Sequence, residues 1–275
     1  MSNFVVEAIE SLDFFGLKFS VFEDNQLINL VNDHIEFKKK LICYGYNFGM
    51  FPYFSKYPEI PEYANQFDIL VADGRGYYLL AKMLGFPVKS DLSVPNLVDR
   101  VIKLANEKHY SILLLGAKEE INKEAGNRIQ AKYPDLKVCN GYHGYFNEIE
   151  EPEIVDDINS KQPDILLIGI SSPKKERFAF KWKDNLNCSI IIPCGGVIDI
   201  LAGFKKPTPR FIKKSGFAWL YRFVQEPKRL FRDSILNLLS VLLLMIPSLL
   251  FNTYILRKKF SIPKFYNSKF DAPIT

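Results

Sequence analysis

The sequence lacks the paired cysteines of a disulfide-stapled or zinc-bound domain. Its 275 residues include four cysteines, and no two of them form a C-x-x-C pair. The four are Cys43, Cys139, Cys188 and Cys194. At least Cys43, Cys139 and Cys194 lie in or beside apolar, strand-like runs. Unpaired cysteines in such runs indicate reduced core residues of a cytosolic protein.

A secretory leader and a strong charge excess are also missing. The opening residues, M-S-N-F-V-V-E-A-I-E, contain acids where a signal peptide would have a basic and then an apolar segment. We therefore expect the globular part to stay in the cytoplasm. The net charge of +5 results from 36 basic and 31 acidic residues. Because this excess is mild, it does not predict a nucleic-acid partner.

What the sequence does contain is an alternation of apolar runs with helical patterns. Strands are predicted at 17–22, 41–46, 69–72, 111–115, 136–139, 165–168 and 189–193. Helices are predicted at 24–34, 77–84, 95–107, 118–132, 153–160 and 174–184, with a loop at 50–63. Such alternation indicates an α/β fold with a mostly parallel, Rossmann-like sheet and helices on both faces. We expect this domain to span 1–215, followed by a C-terminal helical appendage at 216–275.

One function class that uses this fold is disfavoured. No predicted strand is followed by G-x-G-x-x-G with an acid about 20 residues later, which is the dinucleotide-binding fingerprint. A Rossmann oxidoreductase is therefore the least favoured alternative, kept because one fold serves many functions.

The stretch D-I-L-V-A-D-G-R-G at 68–76 contains the first candidate catalytic residue. Its apolar residues form a short strand that stops at Asp73, and Gly74 then allows a sharp turn. Open α/β sheets bind ligands beyond the carboxyl ends of their strands, which is where Asp73 is predicted to lie. The alternative is that Asp73 only caps the helix that follows, as aspartate often does.

Further predicted strands end in turns that suit a ligand. The glycine of L-G-A at 115–117 precedes a helix start, whose backbone N–H groups can bind a phosphate. The glycines of C-G-G-V-I-D at 194–199 allow a ligand to approach the main chain. The segment G-Y-H-G-Y-F at 141–146 contains His143, which could contact a ligand. We expect it instead to be an ordinary hydrogen-bonded histidine of the turn. The candidate binding residues at these turns and at 169–176 are Gly116, Lys174, Glu176, Gly195 and Gly196.

The last third of the sequence combines aromatic and basic residues and then loses all charge. Three arginines, Arg222, Arg229 and Arg232, suit a diphosphate because guanidinium groups bind phosphates through paired hydrogen bonds. The alternative is a basic surface collar with exposed charges.

The uncharged segment at 234–256 is long enough to cross a bilayer, but basic residues flank both ends. We expect it to associate with the membrane in a peripheral or re-entrant way. The alternative is a helix buried in the core or in a homo-oligomer.

Six motifs follow one another in a specific order: A-D-G-x-G at 72–76, G-Y-H-G-Y-F at 141–146, P-K-K-E at 173–176, G-G-V-I-D at 195–199, A-G at 202–203 and W-L-Y-R-F-V-Q-E-P-K-R-L-F-R at 219–232. This ordered set resembles the WecG/TagA/CpsF family of bacterial glycosyltransferases over roughly residues 15–232. The resemblance implies an inverting, metal-independent transfer from a UDP-sugar to a polyprenyl-diphosphate-linked sugar. The transfer would take place at the cytoplasmic face of the inner membrane, in surface-polysaccharide synthesis, with an N-acetylhexosamine or a uronic acid as the sugar.

The resemblance also implies residue roles. It makes Asp73 the general base and lets the three arginines close over the donor diphosphate, while Asn47 and Gly74 carry over as binding residues. No cofactor is implied, and the absence of any D-x-D leaves the usual carboxylate clamp for a metal without a candidate.

The chain departs from the family pattern at Gly45, where threonine is usual, and at Asp91, where arginine is usual. It departs again at Lys175, which replaces a glutamine thought to touch substrate. The segments Pro-Thr-Pro at 207–209 and Ala-Trp at 218–219 differ from R-A-P and E-W. These changes keep a second hypothesis open, a noncatalytic membrane-bound protein that binds nucleotide sugars or acts as a scaffold.

Overall fold

The computed structural model describes residues 9–14, 17–46, 50, 56–83, 85, 87–90 and 92–209, together with 211–212, 220–221, 224, 243, 247 and 251. Several predictions fall outside these residues. They concern Asn47, Asp91, Arg222, Arg229, Arg232 and almost all of the appendage at 216–275, including most of the uncharged segment.

The described elements alternate as the sequence predicts. The strands are β1 (Glu10–Phe14), β2 (Leu17–Val21), β3 (Leu41–Tyr46), β4 (Ile69–Ala72), β5 (Ser111–Gly116), β6 (Lys137–Tyr142), β7 (Ile165–Gly169) and β8 (Ile190–Pro193). The helices are α1 (Asp24–Glu36), α2 (Glu59–Asn65), α3 (Arg75–Met83), α4 (Val94–Lys108), α5 (Glu119–Lys132), α6 (Glu151–Lys161), α7 (Lys174–Trp182) and α8 (Val197–Leu201).

Six strands form one parallel sheet in the order β4-β3-β8-β7-β5-β6, while β1 and β2 pair as an antiparallel ribbon. This confirms the α/β class. In sequence order, β3 and β4 lie toward one edge of the sheet and β5 and β6 lie toward the other edge. The last two strands, β7 and β8, lie between these two pairs. Ligands of open α/β sheets bind where the direction of building reverses. That point lies at the carboxyl ends of β3, β8 and β7.

Both faces of the sheet are buried, which explains why the strands are continuous apolar runs rather than alternating ones. In β7, Ile165 and Leu167 pack into one core while Leu166 and Ile168 pack into the other. The two cores are covered by helices on opposite faces. Within the described part of the chain, none of the helices combines the length and apolar character needed to cross a bilayer.

The structure corrects the sequence prediction in three places. The loop predicted at 50–63 is wrong at its end, because α2 begins there and buries Ile60 and Ala64 one helical turn apart. Tyr63 of this helix stacks on Phe180 of α7, with ring centroids 4.1 Å apart, a tertiary contact that the local sequence does not reveal. Neither β1 nor the short helix α8 was predicted.

The four cysteines are free. Three are buried and Cys139 is half-buried. Burial raises the pKa of the Cys188 and Cys194 thiols to about 12 and raises that of Cys43 further. These thiols are therefore core side chains that stay protonated at neutral pH.

Candidate functional site

Asp73 lies at the carboxyl end of β4, beside the end of β3. Its backbone N–H donates to the carbonyl oxygen of Tyr46 at 2.7 Å. Its carboxylate oxygen Oδ1 accepts the backbone N–H of Val94, the first residue of α4, at 3.0 Å. Among the described residues, no donor reaches the second oxygen, Oδ2. The helix whose amide this carboxylate accepts is therefore α4 rather than the adjacent α3.

Gly45 makes room for this arrangement. A Cβ atom at Gly45 would lie 1.9 Å from Cγ2 of Val94 and 3.4 Å from Cβ of Asp73. The first distance is shorter than any real contact, so Val94 occupies the space that a side chain at position 45 would need. Packing therefore explains why glycine replaces threonine at this position: Val94, at the start of α4, leaves no space for a side chain on β3.

We expect Gly45→Ala to lower the free energy of unfolding by about 1–3 kcal/mol, the usual cost of overpacking a core. Adding Val94→Ala removes the atom that collides and should recover most of the loss. Urea denaturation of the two single variants and the double variant measures this coupling. Equal stability of Gly45→Ala and the unchanged protein would show that α4 lies elsewhere.

A second carboxylate, Glu176 of α7, is fully buried near the same end of the sheet. Its Oε1 accepts the hydroxyl groups of Tyr44 and Ser172, each at 2.7 Å. The ammonium of Lys175 lies 3.5 Å from the same oxygen. The other oxygen, Oε2, is buried and has no hydrogen-bond partner within the described part of the chain. Buried charge that is incompletely paired is costly, which marks this group as a candidate functional residue.

Tyr44 donates its hydroxyl to the second of these carboxylates. Burial raises the pKa of its hydroxyl well above the ordinary value, and the charge of Glu176 and its hydrogen bond raise it further. Smaller contributions come from Tyr46 and then Asp73. The hydroxyl of Tyr44, which lies inside β3, therefore stays protonated and donates to Glu176.

Lys174 faces a different part of the molecule from its neighbour. Its Nζ donates to the carbonyl oxygen of Gly144 at 3.1 Å and to that of Phe146, and it lies 3.4 Å from the centroid of the Phe146 ring. Burial lowers the pKa of this ammonium. Lys174 thus fastens the turn at 141–146 to α7, and a contact with substrate stays a prediction for it. His143 in this turn accepts the N–H of Tyr145 at 3.2 Å, the ordinary role expected of it.

The predicted glycines serve two different purposes. Gly116 has φ of +143°, and a Cβ there would lie 2.4 Å from the carbonyl carbon and oxygen of Gly169. It lets β5 and β7 meet backbone to backbone, and the next amide, of Ala117, donates to Gly169 at 3.3 Å. Gly195 has φ of +58°, and a Cβ atom there would lie 3.8 Å from Lys175 Nζ and 4.0 Å from the carbonyl oxygen of Ile170, which are ordinary contact distances. A side chain would therefore collide with the main chain at Gly116, whereas at Gly195 it would make only ordinary contacts with the described atoms.

The remaining predicted glycines lie at the same edge of the sheet. Gly74 follows Asp73 with φ of +117°, as the sharp turn requires. Gly196 lies next to an ion pair in which Lys205 Nζ and Asp199 Oδ2 are 2.9 Å apart. Sequence reasoning missed Tyr44 and treated Lys175 only as a departure. The sole local signal for Tyr44 was a polar hydroxyl inside an otherwise apolar strand. Among the described residues, no three side chains of His, Cys, Asp or Glu gather as metal ligands.

Comparison with known proteins adds a family and a set of relatives. The family described as glycosyl transferase WecG/TagA/CpsF matches residues 12–254. Similar proteins come from Staphylococcus aureus strains MW2, MRSA252 and NCTC 8325. Each is named N-acetylglucosaminyldiphosphoundecaprenol N-acetyl-beta-D-mannosaminyltransferase. Each is 29% identical over 185 residues, which cover 64% of this chain and 72% of the relative.

Proposed function

Because this chain belongs to the WecG/TagA/CpsF family of glycosyltransferases, we propose that it transfers a sugar from a UDP-sugar to a polyprenyl-diphosphate-linked sugar. In this proposal the reaction inverts the anomeric configuration and needs no metal ion. The proposal takes its reacting groups from this chain: Asp73 as general base, and the turns at the carboxyl ends of β3, β8 and β7 as the donor site.

One observation carries the proposal, the position of the Asp73 carboxylate. It accepts the N–H of Val94 at Oδ1 and lies at the carboxyl end of β4, at the ligand-binding edge of a parallel sheet. The acceptor hydroxyl attacks the anomeric carbon while Asp73 takes its proton. The new bond joins the hydroxyl oxygen to that carbon as the bond to the UDP phosphate breaks on the opposite side. Displacement from the opposite side inverts the configuration.

The departing UDP gains negative charge, which cations and N–H dipoles can stabilise. We assign this role to Arg222, Arg229 and Arg232, together with the main chain at Gly195 and Gly196. Arginine suits the task because its planar donors match two phosphate oxygens at once. The remaining predicted contacts to substrate are those of Asn47, Gly74, Gly116, Lys174 and Glu176.

The names of the similar proteins suggest the substrate class. The Staphylococcus aureus enzymes are named for transferring N-acetylmannosamine to N-acetylglucosaminyl-diphosphoundecaprenol. We propose an N-acetylhexosamine as the donor sugar and a lipid acceptor of that type for this chain. A lipid acceptor requires an enzyme at the membrane surface, so we also propose that residues 234–256 hold the protein on the cytoplasmic face. Co-flotation of the full chain with anionic lipid vesicles tests this location.

The proposed function is tested by measuring UDP release from a panel of UDP-sugars with a polyprenyl-diphosphate-linked N-acetylglucosamine acceptor. We expect acceptor-dependent release with at least one UDP-N-acetylhexosamine, and a rate in EDTA within about twofold of the rate in magnesium. Chelated and magnesium-supplemented reactions without acceptor serve as controls. Loss of activity in EDTA that magnesium or manganese restores would contradict metal independence, and no release with any donor would contradict the transferase itself.

A further inference from the structure

The outer face of α3 exposes apolar side chains close to Asp73. The helix begins at Arg75, two residues after Asp73. Leu79 is 40% exposed and Met83 is 56% exposed. They are four residues apart and so lie on one face, about one helical turn from each other. Ala81, about half a turn from both, is 2% exposed and packs into the core. The apolar stripe of Leu79 and Met83 is therefore on the side of α3 that faces away from the core.

Positive charge accompanies this stripe. Lys82 is exposed, and its ammonium lies 4.8 Å from the centroid of the Tyr78 ring. The guanidinium carbon of Arg75 lies 6.0 Å from the same centroid. Residues 74–90 contain Arg75, Lys82 and Lys89 but no acidic residue, although the whole chain has 31 acids among its 275 residues. The segment that carries the stripe is therefore cationic, and its tyrosine ring lies near two of the cations.

Apolar, tyrosine and basic side chains together on one helix are typical of a surface that lies on an anionic membrane. The apolar side chains of such a helix enter the boundary between head groups and acyl chains. Tyrosine lies at the level of the head groups, and anionic lipids attract lysine and arginine. A second copy of the chain fits less well, because a symmetric contact of this face with itself would bring like charges together. Charge complementarity therefore favours an anionic lipid surface.

We propose that the outer face of α3 docks on the anionic membrane surface and brings the Asp73 edge of the sheet to the acceptor. This inference rests on the proposed function, because a lipid-linked acceptor presents its diphosphate and sugar at that surface. It adds a contact within the sheet domain to the one proposed for residues 234–256. Leu79 and Met83 lie about 6 and 12 Å along the helix from Arg75, which follows the turn after Asp73. Docking through α3 therefore places the base near the head groups.

The test uses the full chain with a fluorophore on Leu79→Cys, mixed with phosphatidylserine-containing vesicles whose acyl chains are brominated. We expect the bromines to quench the label at least about twofold, because an interfacial helix buries its apolar face about 5–10 Å into the head-group and acyl boundary. Ile149→Cys is the matched control: Ile149 is 89% exposed but lies between Glu148 and Glu150, so its label should stay unquenched. Protein labelled without an added cysteine corrects for Cys139, which is half-buried. Met83→Cys repeats the measurement on the same stripe if Leu79→Cys does not fold.

A second variant tests the positive charge of this face. Lys82→Gln should lower transfer to a polyprenyl acceptor embedded in anionic vesicles by about fivefold, the effect of one lysine near an anionic surface. Transfer to a short-chain, water-soluble acceptor should stay within about twofold, because that reaction needs no docking. Lys123→Gln, an exposed lysine of α5, is the matched control and should change neither rate. An equal loss with both acceptors would mean that Lys82 acts in the site itself and would contradict docking.

Other results would overturn the inference while leaving sugar transfer intact. One is an unquenched label at position 79 in protein that floats with the vesicles. Another is quenching at Phe37→Cys instead, since Phe37 is 39% exposed beside Lys38 but precedes β3, at the opposite end of the sheet from Asp73. A label at position 79 that responds to protein concentration without lipid, with a dimer seen in sedimentation, would assign this face to a contact between copies. Quenching at position 79 without UDP release from any donor would support the docking surface and contradict the transferase alone.

Discussion

Asp73→Asn is expected to lower kcat by about 10²–10⁴-fold, the usual contribution of a positioned general base. The asparagine keeps an oxygen that can accept the N–H of Val94, so the start of α4 stays in place. What the amide loses is the ability to take a proton from the acceptor hydroxyl. The effect should therefore appear in the chemical step, with the melting temperature and the Kd for UDP nearly unchanged.

Asp68→Asn is the matched control for this prediction. Asp68 also receives a backbone N–H, that of Ile42 at 2.8 Å, but it precedes β4 and so lies at the opposite end of that strand from Asp73. The same chemical change there should leave kcat within about twofold, because the residue lies away from the ligand edge. A rate near normal in a well-folded Asp73→Asn protein would remove Asp73 from the mechanism.

Glu176→Ala is expected to lower the free energy of unfolding by about 3–5 kcal/mol, the cost of removing one partner from a buried ion pair. The Glu176 side chain is 0% exposed and that of Lys175 is 11% exposed, so water cannot easily replace the missing carboxylate. The substitution also leaves the hydroxyl groups of Tyr44 and Ser172 without the acceptor that they share. Urea denaturation followed by circular dichroism measures the loss.

Two variants separate the causes of that loss. Glu176→Gln keeps an oxygen for the hydroxyl groups and should cost less than the alanine variant. Glu124→Ala breaks an exposed ion pair with Arg128 on α5 and should change stability by no more than about 0.5 kcal/mol. Should Glu176→Ala cost as little as Glu124→Ala, Glu176 would have no part in holding the ends of β3 and α7 together.

Most of the strands and helices, the α/β class and the place of Asp73 after a strand could be predicted from local sequence, whereas β1, α2 and α8 could not. A parallel strand buried on both faces is a continuous apolar run, and that pattern is visible without any partner. Gly74 predicts the turn after β4, because glycine readily adopts the positive φ that this turn needs. The start of α2 was missed because its helix is held by Tyr63 stacking on Phe180, a residue far away in sequence.

The two adjacent lysines of P-K-K-E show where local reasoning ends. Successive helical residues point about 100° apart, so Lys174 and Lys175 cannot face the same surroundings. The sequence predicts Lys174 as a binding residue and gives Lys175 as a departure from the family pattern. In the structure, Lys174 fastens the turn at 141–146, whereas the ammonium of Lys175 lies 3.5 Å from Oε1 of Glu176.

By itself, the sequence determined the fold class and the candidate base, because short apolar runs and glycine turns encode their own conformation. Only the tertiary structure decided that Asp73 accepts the amide of α4, that Gly45 is filled by Val94, and that Tyr44 joins Glu176. Each of these contacts joins residues at least 21 positions apart. Such distances depend on how strands and helices pack, and packing is a property of the whole core rather than of any segment.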